Sequence, residues 1–261
     1  MSKFIKKLER NSQATPQPLG FGRYAQAKVE AGMRIIADVA QVDKNLTDYV
    51  AGADAAILPA AEVRAGLKIL QKACQAASTV LWGLHTHDMS PSDVKDVIDA
   101  GADFVVVSTE SMPFVTEENG LGKILEVELT IDDHLLRTVD DLPLDCVIIN
   151  DNRDSAMNWQ QLMKLQYLSN LFSKPLVVTA PANISSNEIQ LLWEAGVDAI
   201  KVNVGPGITA NLKELREAID KLDLPSLRKP QKKATAILPR MAEERTATHG
   251  TEPDEEDEDD D

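Results

Sequence analysis

The feature that most constrains the fold of this chain is a phrase written four times. AGADAAIL (51–58), AGADFVVV (100–107), LPLDCVII (142–149) and AGVDAIKV (195–202) each pass from a helix end, often closed by glycine, through an aspartate into a strand. The four aspartates, Asp54, Asp103, Asp145 and Asp198, stand 49, 42 and 53 residues apart. Four more strand candidates fall between them, each followed by helical text: MRIIADVA (33–40), TVLWGLH (79–85), KILEVEL (123–129) and PLVVTA (175–180). Apolar spacing predicts helices over 61–76, 92–100, 132–140, 158–172, 186–195 and 210–222. Ser185 with Glu188, and Ser90 with Asp93, stand at capping-box spacing. Eight alternating strand and helix units in about 200 residues predict an α/β chain folded as a (β/α)8 TIM barrel. An open doubly wound sheet is the rival. The even quarter repeat favours closure, and no glycine-rich dinucleotide loop follows the first strand. The link after Ser108, ESMPFVTEENGLG, offers less than two turns of helix.

Composition bounds the rest. Of the formal charge of −15, nine units sit in EPDEEDEDDD (252–261), leaving −6 for residues 1–251. From about Leu227 the apolar periodicity stops, and a basic cluster (Arg228, Lys229, Lys232, Lys233) precedes the acidic run. We therefore expect an N-terminal arm (1–24), a barrel (25–224) and a disordered charged tail (225–261) whose acidic end can contact a basic partner. No basic stripe with interleaved aromatics indicates nucleic acid, and no apolar run is long enough to span a membrane. Cys74 and Cys146 both sit in apolar surroundings and are too few for a disulfide framework, so a cytoplasmic location is expected.

Alternate residues of a barrel strand face the interior, so parity sorts each strand into two sets. The apolar set Ile200, Val202 and Val204 suits the helices, which turns Ala199, Lys201 and Asn203 inward. The same count turns in Ile36, Asp38 and Ala40 on the first strand, Gly83, His85 and His87 on the third, and Glu126 and Glu128 on the fifth. Barrel interiors are filled mainly by branched apolar side chains, so this polar set needs a reason. Closure places Lys201 beside Asp38. The pair is either a buried closing salt bridge or part of a wet C-terminal mouth that serves a ligand; the convergence of five polar groups favours the mouth. His85 and His87, with Asp88 after them, are the one place where a divalent metal could bind. Such a pair at a loop entrance is more often merely polar, and no metal or cofactor is expected.

The ordered pieces IIADVAQ, VLWGL, AGADFVVVS, LEVELTIDDHLL, VIINDNRD, PLVVTAPANI and GVDAIKVNVG, from about 33 to 207, resemble indole-3-glycerol-phosphate synthase, of the ribulose-phosphate-binding barrels. The resemblance implies a catalytic acid at Asp38, a catalytic glutamate at Glu126, and a substrate asparagine at Asn150 or Asn152. It also shows departures. The family's first-strand lysine is Ala40, its third-strand lysine is Gly83, its seventh-strand Ser-Glu-Ser-Gly is Ala180, Pro181, Ala182 and Asn183, and its eighth-strand glycine is Asn203. Indole ring closure needs a proton donor and a cation that alanine and glycine do not supply. Phosphate binding, which rests on backbone N–H groups after strands seven and eight, is less affected. Asn183, Asn203, Gly205 and Gly207 are its candidates.

Three function classes follow. One is a lyase or isomerase acting on a small phosphorylated metabolite, with Asp38, Glu126 and Lys201 catalytic and His85, Glu128, Asn150, Asn152, Asn183, Asn203, Gly205 and Gly207 binding. The second is a non-catalytic barrel that senses such a metabolite. The third is a scaffold that works through its tail.

Overall fold

The computed structural model describes residues 2–12, 32–114, 120–151, 157–171, 173–208, 211–222 and 224. The expected tail (225–261) and the residues Asn152, Arg153 and Asp154 lie outside them. The eight strands are β1 (Arg34–Val39), β2 (Ala55–Pro59), β3 (Leu81–His85), β4 (Phe104–Ser108), β5 (Gly122–Glu128), β6 (Cys146–Asn150), β7 (Leu176–Ala180) and β8 (Ala199–Val204). They pair in parallel in sequence order, and β8 returns to β1, closing the barrel. The helices are α1 (Lys3–Ser12), α2 (Leu46–Tyr49), α3 (Val63–Ala76), α4 (Asp93–Asp99), α5 (Asp133–Leu136), α6 (Trp159–Leu171), α7 (Ser186–Glu194) and α8 (Leu212–Lys221). None of the described residues between β4 and β5 is helical, in keeping with the weak text after Ser108.

The repeated aspartates hold the lower rim together. Asp54 N–H donates to the Ile35 carbonyl at 2.9 Å, while its carboxylate accepts from Ile35 N–H at 3.0 Å. Asp145 makes the same reciprocal pair with Lys123, at 2.8 Å each way, and Asp198 with Leu176, at 2.8 and 2.9 Å. Each aspartate thus satisfies the first backbone groups of the preceding strand where the ladder has no other partner. Asp103 departs from this pattern. Its N–H bonds the Trp82 carbonyl, but its carboxylate turns to the start of α1, accepting from Ser2 Oγ (2.5 Å), Lys3 N–H (2.8 Å) and Phe4 N–H (2.8 Å). A carboxylate there meets both the unpaired amides and the positive end of the helix dipole.

Helix α1 is an element that sequence patterning did not assign. Phe4, Ile5 and Leu8 form its apolar face, and all are buried against the lower barrel interior. Phe4 packs on Phe104 with ring centroids 5.3 Å apart. Gly122 makes room for the helix, since a Cβ there would stand 2.8 Å from Ser2 Cβ and 3.0 Å from Ile5 Cγ1. Outside the barrel, one apolar layer joins Ile35, Ala37, Val39, Ile200, Val202 and Val204 to the helices, as parity predicts. Of the two expected capping boxes, one forms. Ser185 and Glu188 complete the expected capping box on α7. At α4 the cap position is Ser92; Asp93 still reaches back to Ser90 N–H and Oγ.

Candidate functional site at the barrel mouth

Strand register sorts the interior into layers. Neighbouring strands of an eight-stranded barrel with shear 8 shift by about one residue each, so side chains at one height come from alternate strands. Following the pairings His85 with Val106 with Ile124, Glu126 with Ile148 with Val177, and Thr179 with Lys201 with Ile36 places Asp38, His85, Glu126 and Thr179 in one layer. The layer beneath holds Ile57, Val106, Ile148 and Lys201. The next layers down, Ile36, Ile124 and Val177 and then Ala55, Phe104, Cys146 and Ala199, are apolar and pack with Phe4 and Leu8 of α1. Ser108, Asn150 and Asn203 stand above, at the C-terminal ends of the even strands. The interior therefore changes from oil to polar within one step, and Lys201 is the side chain that crosses it.

The Lys201 ammonium donates to Glu126 Oε1 at 2.6 Å and lies 3.4 Å from Asp38 Oδ2. The other oxygen of Glu126 faces His85 Nε2 at 3.6 Å. Lys201 is 4% exposed and Glu126 9%, whereas the side chains of Asp38 and His85 are 23% and 24% exposed. This corrects the expectation of a wet lysine: the ammonium and its nearest carboxylate form a buried floor, and Asp38 and His85 are the open edge. Glu126 rather than Asp38 is the closer partner, although both stand one layer above Lys201 and Asp38 is on the adjacent strand. Burial pushes the His85 imidazole below its ordinary pKa, Glu126 and Asp38 pull it back up, and Lys201 and His87 add to the fall. The ring is neutral at pH 7.

The other predicted residues divide. Glu128 is exposed and accepts from Asn150 Nδ2 at 3.3 Å. Asn183 and Asn203 are exposed at the ends of β7 and β8. Gly207 has φ +81°, a left-handed conformation that glycine adopts without strain, and a Cβ there would meet nothing. The helix starts expected to cradle phosphate already hold the chain's own acceptors. Ser185 Oγ takes Glu188 N–H on α7, and Asn211 Oδ1 takes Lys213 and Glu214 N–H on α8. Asn152 lies outside the described residues. His85 and His87 have ring centroids 5.6 Å apart, and His87 Nδ1 pairs with Ser108 Oγ at 3.2 Å. Among the described residues no group of three or more metal-ligating side chains is gathered.

Gly83 carries the largest departure from the resembled family. A Cβ on it would stand 2.1 Å from Cε2 of Phe104, so the ring occupies the space a side chain on β3 would need.

No protein-family model matches the chain, and no curated protein matches it in sequence. Solved structures do. The thiamine phosphate pyrophosphorylase of Pyrococcus furiosus superposes with TM-score 0.53 at 15% identity, over 72% of this chain and 96% of that one. A tryptophan synthase alpha-subunit from Pyrococcus furiosus gives 0.55 at 13%, over 73% and 98%. KGPDC from Streptococcus mutans gives 0.53 at 12%, over 72% and 99%. The chain is a TIM barrel. At such identities the likeness carries the fold and leaves the chemistry to the side chains at the mouth. In this TIM barrel, Thr179 and Ser108 join the site without having been singled out as binding residues, and His87, weighed only as a metal ligand, pairs with Ser108. Parity applied to PLVVTA and to FVVVS would have turned Thr179 and Ser108 inward with the others. A groove of about 380 Å³ lined by Leu129, Leu136, Met163 and Tyr167 lies outside the barrel between α5 and α6 and plays no part in this site. No helix of the described residues is long and apolar enough to cross a membrane.

Proposed function

We propose that this protein binds a small phosphorylated metabolite at the C-terminal mouth of its barrel, with Asp38, Glu126 and Lys201 as the reacting group of a lyase or isomerase. The observation that carries the reading is the Lys201 ammonium held between Glu126 and Asp38 where the interior turns polar. TIM barrel active sites lie at this end of the strands. Asp38 is the accessible base, Glu126 fixes the ammonium, and Lys201 supplies positive charge beside a developing oxyanion. The phosphate lies outward, against Asn203 and the backbone of Gly205 and Gly207, because the starts of α7 and α8 are already capped. Asn183, Asn150, Asn152, Glu128 and His85 line the rest. The name of the thiamine phosphate pyrophosphorylase, a structural neighbour, points to phosphate chemistry and supports the same direction. Indole-glycerol phosphate formation is outside this reading, since Phe104 fills the position from which a third-strand lysine would act; steady-state indole formation from carboxyphenylamino-deoxyribulose phosphate would sink that exclusion.

A second reading, a non-catalytic barrel that senses the metabolite, is favoured by the burial of Lys201 and Glu126, which a purely structural pair would share. Thermal shift and calorimetry with sugar phosphates test the binding that both readings require. Stabilisation should exceed that of chloride at equal ionic strength. Lys201→Met leaves a buried carboxylate unpaired and should cost about 3–5 kcal/mol in urea denaturation. Asp38→Asn separates the readings: it should abolish turnover while preserving binding in an enzyme, and a chain with no turnover of any bound sugar phosphate would be the sensor.

A further inference from the structure

Helix α6 is apolar on two faces. Leu165 and Leu168 are buried on the face toward the barrel. Trp159, Met163 and Tyr167 recur at every fourth residue on the opposite side, where they are 76%, 70% and 38% exposed. On α5, Leu136 lines the outer groove with Met163 and Tyr167, and Leu135 beside it is 59% exposed. A helix that is apolar all round is ordinarily covered on both sides, and contiguous apolar surface on a protein exterior marks a contact. We infer that the groove between α5 and α6 is the docking site of the chain's own tail, residues 232–241, with Ile237 and Leu238 seated in it.

Charge and reach select this occupant. The α5 side of the groove is acidic at both ends, where Asp132 and Asp141 are exposed. The tail brings Lys232, Lys233 and Arg240 on either side of Ile237 and Leu238, the only adjacent pair of large aliphatic residues after residue 224. A second copy would bring the same acidic wall instead. Lys164, on the α6 side, suits Glu243 or Glu244, which follow the segment. The chain leaves α8 at Leu224; α8 packs on α7 and α7 on α6, two steps of about 10 Å each. Residues 225–236 can extend over about 40 Å, enough to cover that path. A short tether holds the segment at an effective concentration of about millimolar, so a contact of modest intrinsic affinity stays closed. The groove is on the outer face, and its occupation is independent of what the mouth binds.

Trp159 reports on the groove, because the other two tryptophans, Trp82 and Trp193, are buried. In the full-length chain its fluorescence should be that of a shielded indole, protected from acrylamide at every protein concentration. Ile237→Asp combined with Leu238→Asp should shift the emission to longer wavelength and raise the quenching. Thr246→Asp combined with Thr248→Asp adds the same charge beyond the segment and should do neither. A wild-type Trp159 already open to acrylamide would overturn the inference, as would quenching that the Ile237 and Leu238 changes leave unaltered. An equal response to the Thr246 and Thr248 changes would also overturn it, since charge alone would then displace the cover. Protection that is lost on dilution, with a dimer seen by analytical ultracentrifugation, would assign the groove to a second copy and overturn it as well.

Discussion

Gly83 shows how much a single position can decide. In the sequence it is an absent lysine; in the barrel it is the space into which Phe104 leans. Gly83→Ala should destabilise by about 1–3 kcal/mol in urea denaturation, because the ring must move to admit even a methyl group. Pairing it with Phe104→Leu should recover part of that loss, and strictly additive losses would count against the packing account. The charged residues were legible for a different reason. Asp38, His85, Glu126 and Lys201 are polar at positions where two-residue alternation calls for apolar ones, and such a break is visible in text alone. Thr179 was less visible because threonine is an ordinary strand residue, and only its missing hydrogen bond sets it apart.

At the scale of elements, the strands and the longer helices were readable because their periodicities are strong, and the quarter repeat fixed their order. Helix α1 was not. Its apolar face is three residues among lysines, and the surface that it covers is assembled from strands a hundred residues away. Asp103 is the link: the carboxylate that by repeat should clamp a strand instead caps this helix. Phe4→Ala should therefore cost about 3–5 kcal/mol, as for a core aromatic, although the residue lies near the chain start. Asp103→Ala should loosen the same helix, and amide exchange at Phe4 and Ile5 should rise sharply. Unchanged exchange there would mean that packing alone holds α1 in place.

For the whole molecule, the layers bring a pH dependence. The unfolded histidine titrates near pH 6.5, while His85 in the fold protonates at lower pH because burial opposes its charge. Between those values the unfolded state binds more protons than the native one, so stability is held above about pH 6.5 and lost as pH falls below it. Melting temperatures of wild type and His85→Gln should then diverge between about pH 7 and 5, with the wild type falling faster. Parallel curves would show that His85 does not contribute. The sequence by itself determined the strand count, the parity of each strand and the polar character of one end of the interior, since these follow from local periodicity and from where charges interrupt it. Only the tertiary structure decided which carboxylate Lys201 meets first, which side chain fills the space at Gly83, and what closes the lower end. Those depend on register and stagger around the closed ring, where a shift of one residue per strand sets heights that no single segment encodes.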